Sequence, residues 1–391
     1  MRLSSKTILA LTTTALCACS LMTSCCKHDD VQIEEAIMMG TDAVSTKSVV
    51  TNLQSLIDQS RDGNTGFGVY GYKTVQGNST PTRLFNNTKV TPETDNESTL
   101  WTYNPIRFWD SNPNASYQFA AYWPYLPKEE EVGNTEVDTY VKEGSDRQLL
   151  IYNIPNWQDG STGTDYLVTT ERGQYRDGDN DETTVPKFNS GKVIFNFEHL
   201  LAQIKIQAYY VGIDNKVIKV HGIRLKEHDA SHLRMGDGTI NCTQPLFDPR
   251  TLTAPAAAPV NTAPKTLLNL SAENGVSLAG TYFNEDPDSV PKNFATICTW
   301  LTAPSTNWDN LDLEVDYSVD GSVIPTASAE GLTLNSTVTA NNVTTVHNHT
   351  TLSGYAYVIT LKLSASNGIE LESIVMKKWD DEETSTNVYN W

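Results

Sequence analysis

The chain has 391 residues, 39% of them hydrophobic, with 17 Tyr and 8 Trp and a formal net charge of −19. That length exceeds what one hydrophobic core supports, roughly 250–300 residues, so two domains are expected. The apolar content excludes a disordered chain, and the negative charge makes nucleic acid and anionic lipid headgroups poor partners.

Arg2 and Lys6 form a basic n-region, and residues 8–22 are an apolar, small-residue stretch too short to span a membrane. It ends in Met22-Thr23-Ser24-Cys25, small residues just ahead of a cysteine. This is a bacterial lipoprotein box, which places acyl chains on the Cys25 thiol and, after cleavage, on its freed amine. Several acyl chains anchor a protein where one does not. Leu16-Cys17-Ala18-Cys19 is a competing box with Cys19 as the runner-up, but cleavage there leaves a second apolar stretch on the mature chain. The expected organisation is a signal peptide over 1–24, an acidic tether over 25–44, and two antiparallel β-sandwich domains over 45–211 and 212–391.

Residues 45–56 have modest β character, and Asp62-Gly63 tips a turn. The segment 66–72 (GFGVYGY) reads as a strand with Phe67 and Val69 on one face and Tyr70 and Tyr72 on the other. Its glycines predict a close ring or backbone. Residues 74–98 read as a polar loop. Tyr117, Phe119, Ala121 and Trp123 then share one strand face; rings at that period are core before they are a sugar-stacking platform. Residues 127–190 read as loop-dominated and acidic, broken by short apolar runs.

The central stretch, 191–210, is organised as two strands in tandem. Val193, Phe195 and Phe197 fall on one face of the first; Ile204, Ile206, Ala208 and Tyr210 mark the second. Glu198-His199-Leu200-Leu201 between them reads as a kinked or helix-like corner where one sandwich hands over to the next. Further strands are expected at 216–226, 296–301, 312–319, 355–364 and 369–379, with Asp320-Gly321 as a hairpin turn. The Ala- and Pro-rich 251–264 reads as an exposed connection. Many short strands and few helical runs make the fold class all-β.

No catalytic signature is present: no nucleophile elbow, P-loop, dinucleotide fingerprint or zinc helix. His221, His228 and His232 have no metal-binding spacing and read as a surface loop; His347 and His349 read as a satisfied loop. Asp177 to Asp181 starts like a calcium loop, but Glu182 and Phe188 stand where such loops need Gly and Glu. No metal or cofactor is therefore expected, and no enzymatic activity. Cys242 and Cys298 remain in the globular part, where an oxidising envelope permits a disulfide and two buried free thiols fit equally.

The series of the Cys25 lipobox, Phe67 to Tyr72, Trp101-Thr102-Tyr103 with Phe108-Trp109, Phe119 to Pro124, Val193 to Ile206, and Gly354 to Tyr357 ahead of Trp379 resembles a known family. The chain is similar to the fimbrillins, pilus subunits and lipoproteins of anaerobic Gram-negative bacteria, in their Mfa-like branch. The charged step Lys27-His28-Asp29-Asp30 likewise resembles the tag that sends lipoproteins of such bacteria to the cell surface. The resemblance implies two transthyretin-like sandwiches on an outer-membrane, surface-exposed lipoprotein. It also implies proteolytic loss of an N-terminal strand and refilling of the groove by the next subunit. On this chain the removed strand falls near 45–56, with processing at Arg61 or Lys47, and the donor is the strand carrying Ile369, Leu371, Val375 and Trp379. The implied partners are other fimbrial subunits or copies of itself, host or bacterial surface ligands, and outer-membrane lipid. A glycan-capturing lipoprotein with Trp157 or Trp308 as stacking platforms is the alternative.

Overall fold

Alternation of apolar and polar residues carries most of the chain into strands. The structure, a computed structural model, describes residues 36–44, 56–58, 60, 65–78, 80–92, 101–112, 114–136, 138–176, 192–212, 216–227, 239–245, 251–253, 265–283, 293–302, 311–324, 327–332, 335–340, 343–348, 351–364 and 368–379. In chain order the first strands are β1 Met38–Val44, β2 Phe67–Val75, β3 Thr82–Pro92, β4 Trp101–Tyr103, β5 Ala115–Trp123, β6 Tyr140–Glu143, β7 Gln148–Pro155, β8 Gln158–Asp159, β9 Leu167–Arg176 and β10 Lys192–His199. There follow β11 Ala202–Val211, β12 Ile218–Glu227, β13 Thr239–Pro245, β14 Thr251–Thr253, β15 Lys265–Asn269, β16 Val276–Ser277, β17 Tyr282–Phe283 and β18 Ala295–Thr302. The last are β19 Leu311–Val319, β20 Ser322–Val323, β21 Ala327–Leu332, β22 Asn335–Ala340, β23 Val343–Asn348, β24 Tyr355–Ser364 and β25 Gly368–Lys378. Among the described residues, helix is limited to three 3-10 turns and a short stretch that includes residues 56–58. The fold is all-β.

Seven strands close on themselves in the order β1-β10-β9-β5-β2-β3-β4. Phe67 and Val69 of β2, Tyr117, Phe119, Ala121 and Trp123 of β5, and Val193, Phe195 and Phe197 of β10 fill the interior. Phe67 meets Phe195 and Phe197 edge-on, with ring centroids 5.7 and 5.6 Å apart, a favoured aromatic geometry. The opposite faces of β2 and β5 are buried too. Tyr70, Tyr72, Ala120 and Tyr122 pack outside the barrel with Val141, Leu149, Ile151 and Ile240. Burial on both faces explains why the sequence around β5 is almost continuously apolar. The β2 glycines make the close approaches that the sequence predicts. A Cβ on Gly68 would lie 2.4 Å from the Tyr122 ring, and one on Gly71 would lie 2.8 Å from both Phe119 and Phe85.

The second core lies between the sheet β25-β24-β11-β18-β8 and the sheet β15-β12-β19-β20. Ile204, Ile206, Ala208 and Tyr210 of β11 share it with Tyr357, Ile359, Leu361 and Leu363 of β24, which runs parallel to β11, and with Leu313, Val315 and Tyr317 of β19. Strand β11 is bonded to β24, β18 and β17, so residues 202–211, expected in the first domain, pack in this second core. The two halves are also stitched together in a third sheet, β14-β13-β7-β6, where β13 pairs with β7. Asp320 and Gly321, with φ of 49° and 80°, make the hairpin turn expected between β19 and β20.

Three readings change. The polar stretch 74–98 contains β3, whose buried side chains are Phe85, Asn87, Val90 and Pro92. Asn87 takes φ 53°, and the β2–β3 register slips twice nearby, so the burial parity is broken where alternation would have been sought. The stretch 127–190 contributes β6 to β9. Strand β12 does not alternate throughout, because a register shift between Val220 and Gly222 moves the buried set from Ile218 and Val220 to Ile223 and Leu225. His221 consequently is buried inside β12, with Nε2 2.8 Å from Ser318 Oγ, and does not lie on a surface loop.

Buried phenols tie this core to pH. Burial holds the Tyr122 hydroxyl, bonded to Asn87 Oδ1 at 2.5 Å, well above its usual range and pushes Tyr357 up to about 12. The unfolded chain ionises these groups near pH 10 while the folded chain keeps them protonated, so unfolding releases protons there. Stability is expected to be flat with respect to these groups below pH 10 and to fall between pH 10 and 12. Urea midpoints across that range, with phenolate absorbance at 295 nm, check it. Phenolate that forms fully before any loss of secondary structure would contradict the burial.

Candidate functional site

The barrel closes through its first strand. β1 runs parallel to β10, with Met38 to Thr41 opposite Lys192 to Phe195, and then shifts register before Val44 meets Phe197. On its other side the ladder to β4 has a single pair, Met39 with Trp101. Ile37 adds two bonds there: its N–H donates to Arg107 O at 2.8 Å, and its carbonyl accepts from Tyr103 Oη at 2.6 Å. Ile37 and Met39 are buried in the barrel interior, and Phe67 packs against Trp101 at 4.8 Å beneath them. The buried Thr41 hydroxyl has no hydrogen-bond partner among the described residues, a local cost. Withdrawing β1 would expose the β10 edge and open an apolar groove along the barrel.

The second feature is the corner between β10 and β11. His199 and Asp165 are both buried, with Nδ1 3.0 and 2.9 Å from the two carboxylate oxygens. The Trp379 indole stacks on the His199 ring, centroids 3.8 Å apart and ring planes nearly parallel. Ser353 Oγ donates to the His199 and Leu200 carbonyls at 2.9 and 2.8 Å, Gly354 N–H to Leu201 O at 2.9 Å, and Trp379 N–H to Gly354 O at 2.9 Å. The entry to β24 and the exit of β25 are thus fastened to the same corner. The corner residues form the end of β10 and a bend, with no helix.

The sequence profile of the fimbrillin-like family matches residues 51–379. The chain belongs to that family. Its fold is similar to the crystal structure of a fimbrial protein from Bacteroides vulgatus, at 17% identity and TM-score 0.54, covering 88% of this chain and 99% of that one. The tip fimbrial protein Mfa3 of Porphyromonas gingivalis, with a C-terminal truncation, is 9% identical at TM-score 0.35, covering 88% of this chain and 100% of that one. No curated protein matches the chain.

Within this fimbrillin-like chain the expected site residues are distributed unevenly. Cys25, Cys19, Lys47 and Arg61 lie outside the described residues, as do His228, His232, His349, Trp308 and the stretch 177–181. Of the stretch 45–56 only Leu56 is described, and it is helical and fully buried. The first strand is β1, within the segment read as tether. Cys242 and Cys298 are not joined by a disulfide and lie on strands of different sheets, and burial pushes the Cys298 thiol up to about 12. Trp157 is only 5% exposed and part of the second core, so it offers no stacking face. Tyr117, Phe119 and Trp123 are barrel interior. Among the described residues no group of three His, Cys, Asp or Glu is placed to hold a metal. An open groove of about 480 Å³ between β8, β15 and β18 is lined by Asp159, Gln203, Leu267 and Cys298, with no converging acid and base.

β25 pairs with β24 over its whole length. A bulge between Thr360 and Leu361 changes its parity: Ile369 and Leu371 face the second core, then Ile374 and Met376 do, while Val375 turns outward and is 41% exposed. Unbroken alternation from Ile369 and Leu371 would turn Val375 inward, and the bulge prevents that. Trp379→Ala is expected to lower stability by about 3–5 kcal/mol and Ile374→Ala by about 2 kcal/mol or more, while Val375→Ala stays within about 0.5 kcal/mol. Urea denaturation of the three variants measures this; equal losses at 374 and 375 would contradict the bulged register.

Proposed function

We propose that the protein is a structural fimbrial subunit or surface adhesin that assembles by exchanging strands at the barrel seam, with β1 as the strand that gives way. The observation that carries this reading is the asymmetry of β1. One flank has a parallel ladder to β10, the other a single bridge to β4, and the face beneath is apolar. A barrel lacking β1 leaves unpaired backbone beside buried Phe195 and Trp101, which a strand from a neighbouring subunit would cover. In the same reading the chain is a pair of transthyretin-like domains carried to the outer membrane as a precursor on acylated Cys25, where processing at Arg61 or Lys47 releases β1 together with the anchor. Its role is mechanical and involves no catalysis.

The donor is a strand of the next subunit. β25, with Ile369, Leu371, Val375 and Trp379, would first have to leave β24 and lift Trp379 off His199. An exchange through β25 must therefore repay two buried contacts. The glycan-capturing alternative loses support with the burial of Trp157.

A chain beginning at Asp62 tests the reading. It is expected to form multi-subunit chains by light scattering and electron microscopy while the full-length chain stays monomeric. A synthetic peptide of residues 36–44 is expected to cap the chains as it refills the groove. A truncated chain that keeps its circular dichroism and remains monomeric would sink strand exchange at this seam.

A further inference from the structure

Beside the seam the molecule carries an apolar patch that neither core uses. Ala36 forms an isolated antiparallel bridge with Phe108. Met38 lies two residues along β1 from Ala36, and Ile106 two residues before Phe108. All three are half exposed: Met38 at 51%, Ile106 at 47% and Phe108 at 48%. The arrangement is fixed from beneath. Tyr103 Oη donates to Ile37 O at 2.6 Å and accepts from Arg107 N–H at 3.3 Å, while Ile37 N–H donates to Arg107 O at 2.8 Å. The 104–108 segment is thereby held against the start of β1, presenting a Met, an Ile and a Phe together with the exposed Arg107.

We propose that, in the unprocessed chain, this patch docks on the outer-membrane lipid surface and holds the barrel against the bilayer. The inference rests on the reading of Cys25 as the acylated residue. Only residues 26–35 separate Cys25 from Ala36, a reach of about 35 Å at full extension. The patch therefore sits at the point where the tether joins the fold. An Ile, a Met and a Phe exposed together on a rigid surface partition into the boundary between headgroups and acyl chains. The net charge of −19 sets the mode of contact: the chain as a whole gains nothing from an anionic surface, so apolar insertion drives docking and the acyl anchor supplies the local concentration.

The test puts an environment-sensitive NBD dye on Phe108→Cys, with Cys26→Ser and Cys298→Ser removing competing thiols. The acylated protein is reconstituted in phosphatidylcholine vesicles. Blue-shifted emission with at least twofold quenching by lipid carrying a nitroxide near the headgroup is expected. The same dye at Val323→Cys, a 65% exposed position on β20, is expected to emit as in water. Water-like emission at position 108 from protein that floats with the vesicles would overturn docking and leave the anchor standing. Protein that fails to float would overturn both readings. Blue emission already present in the lipid-free Cys25→Ser chain would assign the patch to a second copy or to another segment of the chain, and would equally overturn membrane docking.

Discussion

The corner from His199 to Ala202 is the constraint on which the rest of the structure depends. There one continuous run of chain leaves the barrel as β10 and enters the second sheet as β11, with both strands buried along their apolar faces. The turn is held by a buried imidazole–carboxylate pair, a stacked indole and a serine hydroxyl that bonds two successive carbonyls. Each of these comes from a different part of the chain: Asp165 ahead of β9, Ser353 ahead of β24, and Trp379 after β25. Buried polar groups are costly unless paired, and the full set of contacts at the corner is complete only when all of those segments are in place. The corner therefore makes the two cores cooperative.

That rigidity gives the seam its meaning. β10 is fastened at its C-terminal end by the corner, bonded to β9 on one side, and rooted in the barrel through Phe195 and Phe197. β1, on its other side, is held through β10, one bridge to β4, and the bonds around Ile37. A pre-organised edge next to a weakly flanked strand is what an exchanging subunit needs, because the acceptor does not have to reorganise when the occupant changes. Trp379 has the opposite effect at the other end of the chain, where it retains β25 on β24.

Most of this architecture was legible wherever alternation was unbroken. Tyr357 to Leu363, Leu313 to Tyr317 and Ile204 to Tyr210 show their buried faces directly, and the aromatic run in β5 was rightly read as core because its rings repeat at strand period. The glycines of β2 correctly announced nearby rings. Legibility failed at bulges. Val375, the β12 run and β3 each contain a register shift or a left-handed residue that moves the buried set by one, and a period-two reading cannot register that. β1 was hidden for another reason. MMGTDAV carries its apolar residues in adjacent pairs, Met38-Met39 and Ala43-Val44, with no period-two alternation to mark a strand, and its place in the barrel comes from β10 and not from its own pattern. His221 and the corner pair Asp165–His199 carried no spacing signal, since their partners lie 97 and 34 residues away in sequence.

Native-state hydrogen exchange of the full-length protein, followed by mass spectrometry, tests the central claim most directly. If β1 is a replaceable occupant of a preformed groove, amides of residues 36–44 exchange through a local opening well ahead of those in β2, β5 and β10, whose protection stays at the level of global unfolding. Exchange of β1 only in step with those three strands would mean that it is an inseparable stave of the barrel, and the account of the seam would be wrong.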